Sequence, residues 1–421
     1  MKRKSMETRP APAEPAVFET LANNGYSLRF RAFSALDLYW GHSPLPFVWA
    51  ETSADISDLA RLFENLRFPG TGIADAAADQ GGKRWYFYCL DDGQDSGFFR
   101  DRENRPAYRL LSFFRDAGTG RFWDPLGLYP LLRELRDGKA PDGYEQTRAA
   151  ETGCWWKNIG PSSGRYRAAA EGALILARYT RSGDGGQPGE FRIIREISRI
   201  AGNLAEDFPP SAESQRLLLA GLMLSPRPDL GLELLKETGF VEQFWPELAA
   251  LDNVDHSKEY HPEGNVWKHT LETFRYRKKY DLVLSLGLLL HDVGKPLSES
   301  SGQRRFDGHA ELGARLAGKF LERLGFSDGT TRAVCYLVKN HMLPAALPRL
   351  PLSKTAEVLE SGLFPALLEL YRCDESSSFK GLDGYYESSA AYQNYLRNRR
   401  NPYRSADGKK QARASPSPKK R

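Results

Sequence analysis

The feature that most constrains the fold is an apolar run, residues 282–290, that ends in His291 and Asp292 and is followed by Gly294 and Lys295. The apolar run predicts a buried helix, and the glycine predicts the end of that helix. Six of the seven histidines lie between His256 and His341. Histidine is the commonest metal ligand and the usual acid–base group near neutral pH. The crowding therefore predicts a functional centre in this segment.

Candidate ligands lie at or near the ends of successive predicted helices. These helices cover residues 266–277, 281–292, 310–324, 331–341 and 363–373. Ligands carried at helix ends can converge on one pocket in a helical bundle. The candidate metal ligands are His269, His291, Asp292, His309, His341 and Asp374.

Four imidazoles and two carboxylates suit a divalent ion, which we expect to be Mn, Ni, Co, Fe, Zn or Mg. Six ligands can hold two ions with Asp292 as the bridge, and paired ions about 3.5–4 Å apart can clamp a phosphate. The smaller alternative is one ion on His269, His291, Asp292 and Asp374. Asp292 and Lys295 are the candidate catalytic residues, because Lys295 can hold a phosphate oxygen or protonate a leaving group.

Each histidine also has a structural alternative. His309 and His341 can support the ligands or contact phosphate instead of binding a second ion. His261 is better explained as a structural residue, and His256 and His42 as surface or capping residues.

The first third of the chain has a different pattern. Apolar and polar residues alternate at 26–32, which predicts a half-buried strand. Strands are also predicted at 47–50 and 85–90, helices at 34–40 and 57–66, and a hairpin over 110–123. From about residue 192 nearly every segment has helical spacing. The sequence thus predicts an α+β head followed by a mostly α-helical body that ends in an all-α domain.

Composition is that of a globular protein. A chain of 421 residues predicts two to four domains. It contains no apolar run of the roughly 18–20 residues that a membrane span requires, and prolines follow the basic start where a secretory signal would be apolar. Four scattered cysteines, without a CxxC pair, predict reduced thiols and a cytoplasmic location.

The net charge of +5 is concentrated in the tail. Residues 404–421 hold seven Lys/Arg and one Asp, or +6, so the rest of the chain carries about −1 (5 − 6). Such a tail is typical of a disordered arm. It can contact nucleic acid weakly, or serve only to keep the protein soluble.

The residues also resemble a known family. The order His269, His291-Asp292 and Asp374 resembles the signature of HD-domain metal-dependent phosphohydrolases, and His309 and His341 match the extra histidines of two-metal members. The segments YHPEGNVWKHT (260–270) and FDGHAE (306–311) are similar to the back half of bacterial tRNA nucleotidyltransferases that carry an HD domain. This resemblance covers roughly residues 190–380.

The resemblance implies five parts. They are a lead-in (1–16), a nucleotidyltransferase-like domain (17–142), a helical, RNA-binding-like linker domain (143–255), an HD domain (256–400) and a basic tail (401–421).

The head departs from that family at its working positions. The Gly-Gly that admits a triphosphate is replaced by Ala32-Phe33, and the two metal-binding carboxylates fall on about Phe47 and Trp49. Asp37 stands where the family has an aspartate. The sequence therefore predicts a degenerate head whose nucleotidyltransferase site is lost.

Two further groups in the head have competing interpretations. Asp55 and Asp58 are better explained as a helix-capping pair than as metal ligands. Trp49 and the aromatic residues 85–88 can stack on bases, although aromatics alternating in strands are more often core.

The leading hypothesis from sequence is a metal-dependent phosphohydrolase of the HD superfamily acting on a nucleotide or an RNA end, for example of tRNA, with no membrane partner. On this hypothesis nucleotidyltransferase activity is not expected. The alternatives are a tRNA nucleotidyltransferase or poly(A) polymerase with a variant head, and a non-catalytic RNA- or nucleotide-binding protein.

Overall fold

The structure is a computed structural model that describes residues 14–69, 74–90, 113–124, 144–146, 165–180, 209–255, 264–299, 306–378, 381–401, 403–406 and 408–409. Most of the lead-in, most of the basic tail, His256 and His261 lie outside the described residues. The chain divides into two compact units, Met1–Gly221 and Leu222–Arg421. The finer division into five parts stays a prediction.

One sheet organises the first unit. Its order is β3-β4-β2-β1-β5-β6-β7, and the pairs β2/β4 and β6/β7 are parallel while the others are antiparallel. The strands are β1 (Leu28–Arg31), β2 (Phe47–Thr52), β3 (Ala76–Gln80), β4 (Lys83–Cys89), β5 (Phe114–Asp116), β6 (Phe122–Asp124) and β7 (Tyr144–Gln146).

The described helices of the first unit lie before, between and after these strands in the sequence, and the last of them continues into the second unit. They are α1 (Glu14–Asn23), α2 (Phe33–Trp40), α3 (Ile56–Leu62), α4 (Arg165–Tyr179) and α5 (Ala212–Met223).

Helices cover both faces of the central strands. Every residue of β2 is buried, as expected for a strand with helices on both sides. Phe33 of α2 lies against Trp49 on one face, with ring centroids 6.0 Å apart, and Phe63 at the end of α3 lies against Phe87 on the other, at 5.4 Å. Trp49 and residues 85–88 are all buried. Their interpretation as core residues is confirmed, and they offer no surface to a base.

A buried ion pair joins α2 to α4. The Arg178 guanidinium donates to both carboxylate oxygens of Asp37, at 2.6 and 2.7 Å, and the Tyr179 hydroxyl donates to the same carboxylate at 3.0 Å. Both charged side chains are almost fully buried. Asp37 is therefore committed to holding two helices together.

Local capping was predicted well in one case and wrongly in another. Asp55 and Asp58 form a reciprocal capping box at the start of α3, as predicted, but the helix ends at Leu62 instead of residue 66. The sequence also predicts a helix from Asp229 to Thr238 with Asp229 as its N-cap. The helix instead begins at Pro228, and Asp229 lies inside its first turn, buried and paired with Arg227, because proline favours the first helical position.

The described part of the second unit is built of helices. After α5, α-helices follow in the order α6 (Pro228–Glu237), α7 (Phe240–Phe244), α8 (Pro246–Ala249), α9 (Val266–Thr273), α10 (Leu282–Leu290), α11 (Lys295–Glu299), α12 (His309–Arg323), α13 (Asp328–Asn340), α14 (Leu343–Ala346), α15 (Leu352–Glu360), α16 (Phe364–Ser376) and α17 (Asp383–Arg400). Short 3₁₀ turns cover Ala250–Asn253, Phe274–Tyr276 and Leu347–Arg349.

Helix α10 is buried, as its apolar sequence predicted. Residues 284–290 are all buried. A Cβ on Gly287 would lie 2.9 Å from Leu337 of α13 and 3.1 Å from Leu370 of α16, so the glycine allows close packing there. No helix among the described residues is both long and apolar enough to cross a bilayer. The predicted fold class, a strand-containing head followed by helices, is confirmed.

Candidate metal centre

Helix ends bring all the predicted ligands together in the second unit. His269 lies on α9, His291 and Asp292 follow the last residue of α10, His309 begins α12, His341 follows α13, and Asp374 lies in the last turn of α16. They fall into two clusters in which the ligand atoms lie within 4.8 Å of one another. The first ligand group is His269, His291 and Asp374, and the second ligand group is Asp292, His309 and His341.

The first ligand group is organised around one carboxylate oxygen. The Oδ1 atom of Asp374 lies 3.0 Å from Nε2 of His269 and 3.9 Å from Nε2 of His291. The two histidine side chains are 1% exposed, whereas that of Asp374 is 24% exposed. The group thus reaches the surface on its aspartate side.

The second ligand group is organised around Asp292. Its Oδ1 atom lies 3.6 Å from Nε2 of His309 and 3.8 Å from Nε2 of His341, and the two Nε2 atoms are 3.1 Å apart. Its other oxygen, Oδ2, lies 3.2 Å from Nε2 of His291 in the first ligand group. The Asp292 carboxylate thus faces both groups, which is the position that the sequence predicted for a bridge.

Hydrogen bonds orient every imidazole in the same way. The Nδ1 atoms of His291, His309 and His341 lie 2.7–2.8 Å from the carbonyl oxygens of Leu288, Phe306 and Val338. A carbonyl can only accept, so in each case Nδ1 carries the proton and Nε2 presents a lone pair.

His269 follows the same rule through a hydroxyl group. Ser377 Oγ donates to the Asp374 carbonyl at 2.7 Å, which leaves its oxygen to accept from Nδ1 of His269 at 3.4 Å. This outer partner is characteristic of metal-binding histidines.

Electrostatics keep Asp292, Asp374, His309 and His341 in the states that bind metal. Burial acts to raise the pKa of Asp292, but His291 and Lys295 outweigh it and hold the pKa well below its usual range. Burial also opposes ionisation of Asp374, yet in the metal-free chain the protonated form of His269, through its hydrogen bond and its charge, holds the pKa of this carboxyl below the usual range. Burial lowers the pKa of His309, and it lowers that of His341 to about 4. The two carboxylates are therefore ionised, and these two imidazoles neutral, at pH 7.

The donor set fits a divalent ion. The Nε2 atom of His269 lies 3.0 Å from Oδ1 of Asp374, and the Nε2 atoms of His309 and His341 lie 3.1 Å apart. Two acceptor atoms can lie this close when they share a cation or a proton. The buried Nε2 atom of His291 makes no hydrogen bond within the described residues. Imidazole and carboxylate donors match first-row divalent ions, and the two groups could hold one ion each.

Lys295 begins α11 and reaches back to the centre. Its ammonium group donates to Asp292 Oδ2 at 2.6 Å and lies 5.3 Å from the centroid of the Phe306 ring. The side chain is 11% exposed. The lysine therefore contacts a candidate ligand directly, and its catalytic role stays a prediction.

Sequence reasoning missed the residues that support the ligands. Ser377 and the Phe306 carbonyl had no recognisable signal, because their role depends on which atom lies beside an imidazole. The close approach of Gly294 to α12 was also missed. A Cβ on Gly294 would lie 2.1 Å from the carbonyl oxygen of His309 and 2.6 Å from the amide nitrogen of Gly313.

The head presents a different picture. Phe47 and Trp49 are buried in β2, where their rings lie 4.9 Å apart. Both ligand groups found among the described residues belong to the second unit. The described part of the head therefore supplies no group of three metal ligands, and we assign it none.

Comparisons with known proteins identify part of the chain. The family model for the HD domain matches residues 266–361, a span that holds all four histidine ligands and Asp292. The CC-adding tRNA nucleotidyltransferase of Thermus thermophilus is 37% identical over 141 residues, which are 32% of this chain and 32% of that protein. The Multifunctional CCA protein of Halorhodospira halophila is 36% identical over 216 residues, which are 50% of this chain and 45% of that protein. The chain therefore matches less than half the length of either relative.

A solved structure, the Bacillus stearothermophilus CCA-adding enzyme in complex with CTP, aligns with 92% of this chain and 84% of its own, at 14% identity and a TM-score of 0.48.

These comparisons confirm the family resemblance and correct the leading hypothesis. Residues 266–361 match the HD domain family, and part of the sequence is similar to a CC-adding tRNA nucleotidyltransferase and a Multifunctional CCA protein. The prediction of an HD-superfamily phosphohydrolase as the main activity is wrong, and so is the expectation against nucleotidyltransferase activity, because the relatives are named as nucleotide-adding and CCA proteins. A complete ligand set in the second unit does not exclude nucleotide addition by the same chain, and neither do the substitutions at Ala32-Phe33, Phe47 and Trp49.

Proposed function

We propose that the protein is an RNA-processing enzyme of the tRNA nucleotidyltransferase type, which adds nucleotides to the 3′ end of a tRNA or a similar RNA. The observation that carries this proposal is the similarity to a CC-adding tRNA nucleotidyltransferase and to a Multifunctional CCA protein. A tRNA substrate would place the protein in the cytoplasm.

We further propose that the two ligand groups bind one or two divalent ions. His269, His291 and Asp374 would hold one ion, His309 and His341 the other, and Asp292 would contact both. A bound ion there would act as a Lewis acid towards a phosphate oxygen. Lys295 supplies a second positive charge beside Asp292, where it can hold a phosphate group. The paired acceptors and the depressed carboxyl pKa values support this assignment.

The head is proposed to retain RNA processing with a variant site. Phe47 and Trp49 cannot hold a metal ion, so no step is assigned to β2. The basic tail is proposed to add weak, salt-dependent attraction to RNA; most of it lies outside the described residues.

Nucleotide incorporation tests the proposal directly. The full chain is incubated with Mg²⁺, labelled CTP or ATP, and a tRNA that lacks its three terminal nucleotides. We expect label in the tRNA, and none when the acceptor already carries a complete 3′ end. A chain that binds the truncated tRNA without adding nucleotides would favour the non-catalytic RNA-binding alternative, and a chain that does neither would overturn the proposal.

Metal content tests the second part separately. The purified chain is stripped with a chelator, reloaded with Mn²⁺, Co²⁺ or Ni²⁺, and analysed by elemental analysis. We expect one or two ions per chain in wild type and fewer in Asp292→Asn. No bound ion in wild type would overturn the metal centre but not the nucleotidyltransferase assignment.

A further inference from the structure

A residue in a strained backbone conformation lies beside the second ligand group. Phe306 has a φ of 65°, in the left-handed region. Few non-glycine residues adopt this region, and a bulky one does so at a cost that the surrounding structure must offset. Phe306 lies three residues before the ligand His309. Strain so close to a ligand indicates that the backbone conformation positions a group of the centre.

The three histidines whose Nδ1 atoms donate to backbone carbonyls show which group the strained backbone positions. His291 and His341 each follow the last residue of a helix, so the carbonyl three residues earlier, in the final turn, accepts from Nδ1. His309 instead begins its helix, and residues 306–308, directly before it, form a turn and not a helix that could supply such a carbonyl.

The turn before α12 supplies this acceptor by another route. It passes through two left-handed positions, Phe306 and Gly308, with φ of 65° and 72°. The carbonyl of Phe306 then accepts from Nδ1 of His309 at 2.8 Å and from its backbone N–H at 3.3 Å. His309 thereby gains the same relation, three residues back, that the other two histidines receive from their helices.

Glycine would adopt this conformation more easily than phenylalanine. The phenylalanine side chain, however, makes a contact that glycine could not make. Its ring lies 5.3 Å from the Lys295 ammonium, within cation–π range. The same ammonium donates to Asp292 at 2.6 Å. Phe306 therefore contacts His309 through its carbonyl and, through its ring, the lysine that pairs with Asp292.

We infer that Phe306 is a positioning residue: its left-handed backbone fixes the Nδ1–H tautomer of His309 and so directs the Nε2 lone pair of His309 towards a divalent ion shared with Asp292 and His341. This inference rests on the proposed metal centre. It adds that a strained residue outside the ligand set determines the affinity of the second ligand group.

Two substitutions separate positioning from packing. Phe306→Asn removes the ring but keeps a residue type that tolerates the left-handed region, whereas Phe306→Val keeps an apolar side chain but is β-branched and strongly disfavours that region. If Phe306 only filled space, valine would be the better substitute. If Phe306 positions His309, asparagine should be the better substitute.

The first readout is Co²⁺ titration by calorimetry and visible absorption. We expect Phe306→Val to weaken binding at the second ligand group by at least about tenfold, the loss typical of a missing outer partner, and to change the Co²⁺ spectrum. Phe306→Asn should bind close to wild type. Phe326 is a matched control, because it is half-buried in the same unit and has no left-handed backbone. Its valine and asparagine variants should bind Co²⁺ alike.

The second readout requires no metal. In protein labelled with ¹⁵N-histidine, nitrogen chemical shifts should show His309 as the Nδ1–H tautomer in wild type and Phe306→Asn, with that state lost in Phe306→Val. A valine variant that keeps both the tautomer and the affinity would overturn the inference, as would an asparagine variant that loses as much as valine. A wild-type chain with the expected tautomer but no bound Co²⁺ would instead contradict the proposed metal centre.

Discussion

At the residue scale, burial governs the protonation of the centre. His341 is almost fully buried beside His309 and Asp292. Burial, with the neighbouring charge of His291, lowers its pKa from 6.5 to about 4. The imidazole therefore stays neutral, and ready to bind metal, in solutions acidic enough to protonate an ordinary histidine.

This shift predicts a pH dependence of the metal-free protein. Between pH 6.5 and about 4 the unfolded chain binds a proton at His341 that the folded chain does not. Stability therefore falls as the pH is lowered through this window, by up to about 3 kcal/mol from this residue. His309 acts in the same direction, because burial lowers its pKa too.

Urea unfolding of the chelated protein between pH 7.5 and 4.5 measures this dependence. His341→Gln should flatten the pH profile, whereas His42→Gln, in the first unit, should leave it unchanged. An equally steep profile in His341→Gln would contradict the assigned cause.

At the element scale, the Asp37–Arg178 pair predicts a large loss when one partner is removed. Asp37→Asn leaves a buried guanidinium without its counter-charge, so we expect a fall of about 3–5 kcal/mol in the free energy of unfolding. Asp79→Asn breaks a more exposed pair with Arg84 and should cost less than about 1 kcal/mol.

A double variant identifies the origin of that loss. Asp37→Leu combined with Arg178→Met removes both charges and should be more stable than Asp37→Asn, because apolar replacement of a whole buried pair is often tolerated. Urea unfolding measures all three. A double variant less stable than the single one would show that the hydrogen bonds, more than the unpaired charge, determine the cost.

The contact between Gly294 and helix α12 predicts a coupled effect. A methyl group on Gly294 would meet backbone atoms of His309 and Gly313, which cannot rotate away. Gly294→Ala should therefore cost about 3 kcal/mol or more and weaken metal binding by separating Asp292 from His309. Gly362→Ala is the control, since a Cβ there meets nothing within 4 Å, and it should change stability by less than about 1 kcal/mol. Thermal unfolding and Co²⁺ titration report the two effects; retained affinity in Gly294→Ala would contradict the coupling.

Elements were predictable where their signals are local. Asp281 and Ser327 cap α10 and α13 with their own side chains, and the helices end at ligand histidines, so the sequence located the ends of both to within a few residues. Strand β3 was missed, since Ala76, Ala77 and Ala78 have low strand propensity and become a strand by pairing with β4. The Asp37–Arg178 pair joins residues 141 positions apart, and no local pattern indicates such a partner.

At the scale of the whole molecule, metal binding should be visible as stability. An ion that binds only the folded chain stabilises it by about 2.7 kcal/mol at a concentration 100 times its dissociation constant. Mn²⁺ should therefore raise the unfolding midpoint of the wild-type chain, and Asp292→Asn should lose most of that increase. Differential scanning calorimetry with and without chelator measures the change; an equal increase in Asp292→Asn would place the ion elsewhere.

Function at this scale was less predictable than the site. The ligand residues could be selected from the sequence because helical spacing placed them at helix ends. The main activity could not be selected in this way. A complete ligand set in the second unit does not determine the chemistry of a chain that also contains a first unit.

The helix-end histidines have a consequence for protein design. His291 and His341 are each oriented by a carbonyl only three residues away in the same helix, so the direction of each Nε2 lone pair is specified by four consecutive residues. Such a segment is modular. Placed at the end of any inner helix of an artificial bundle, it would carry its own orienting hydrogen bond, and a designer would have to solve only the spacing between helices.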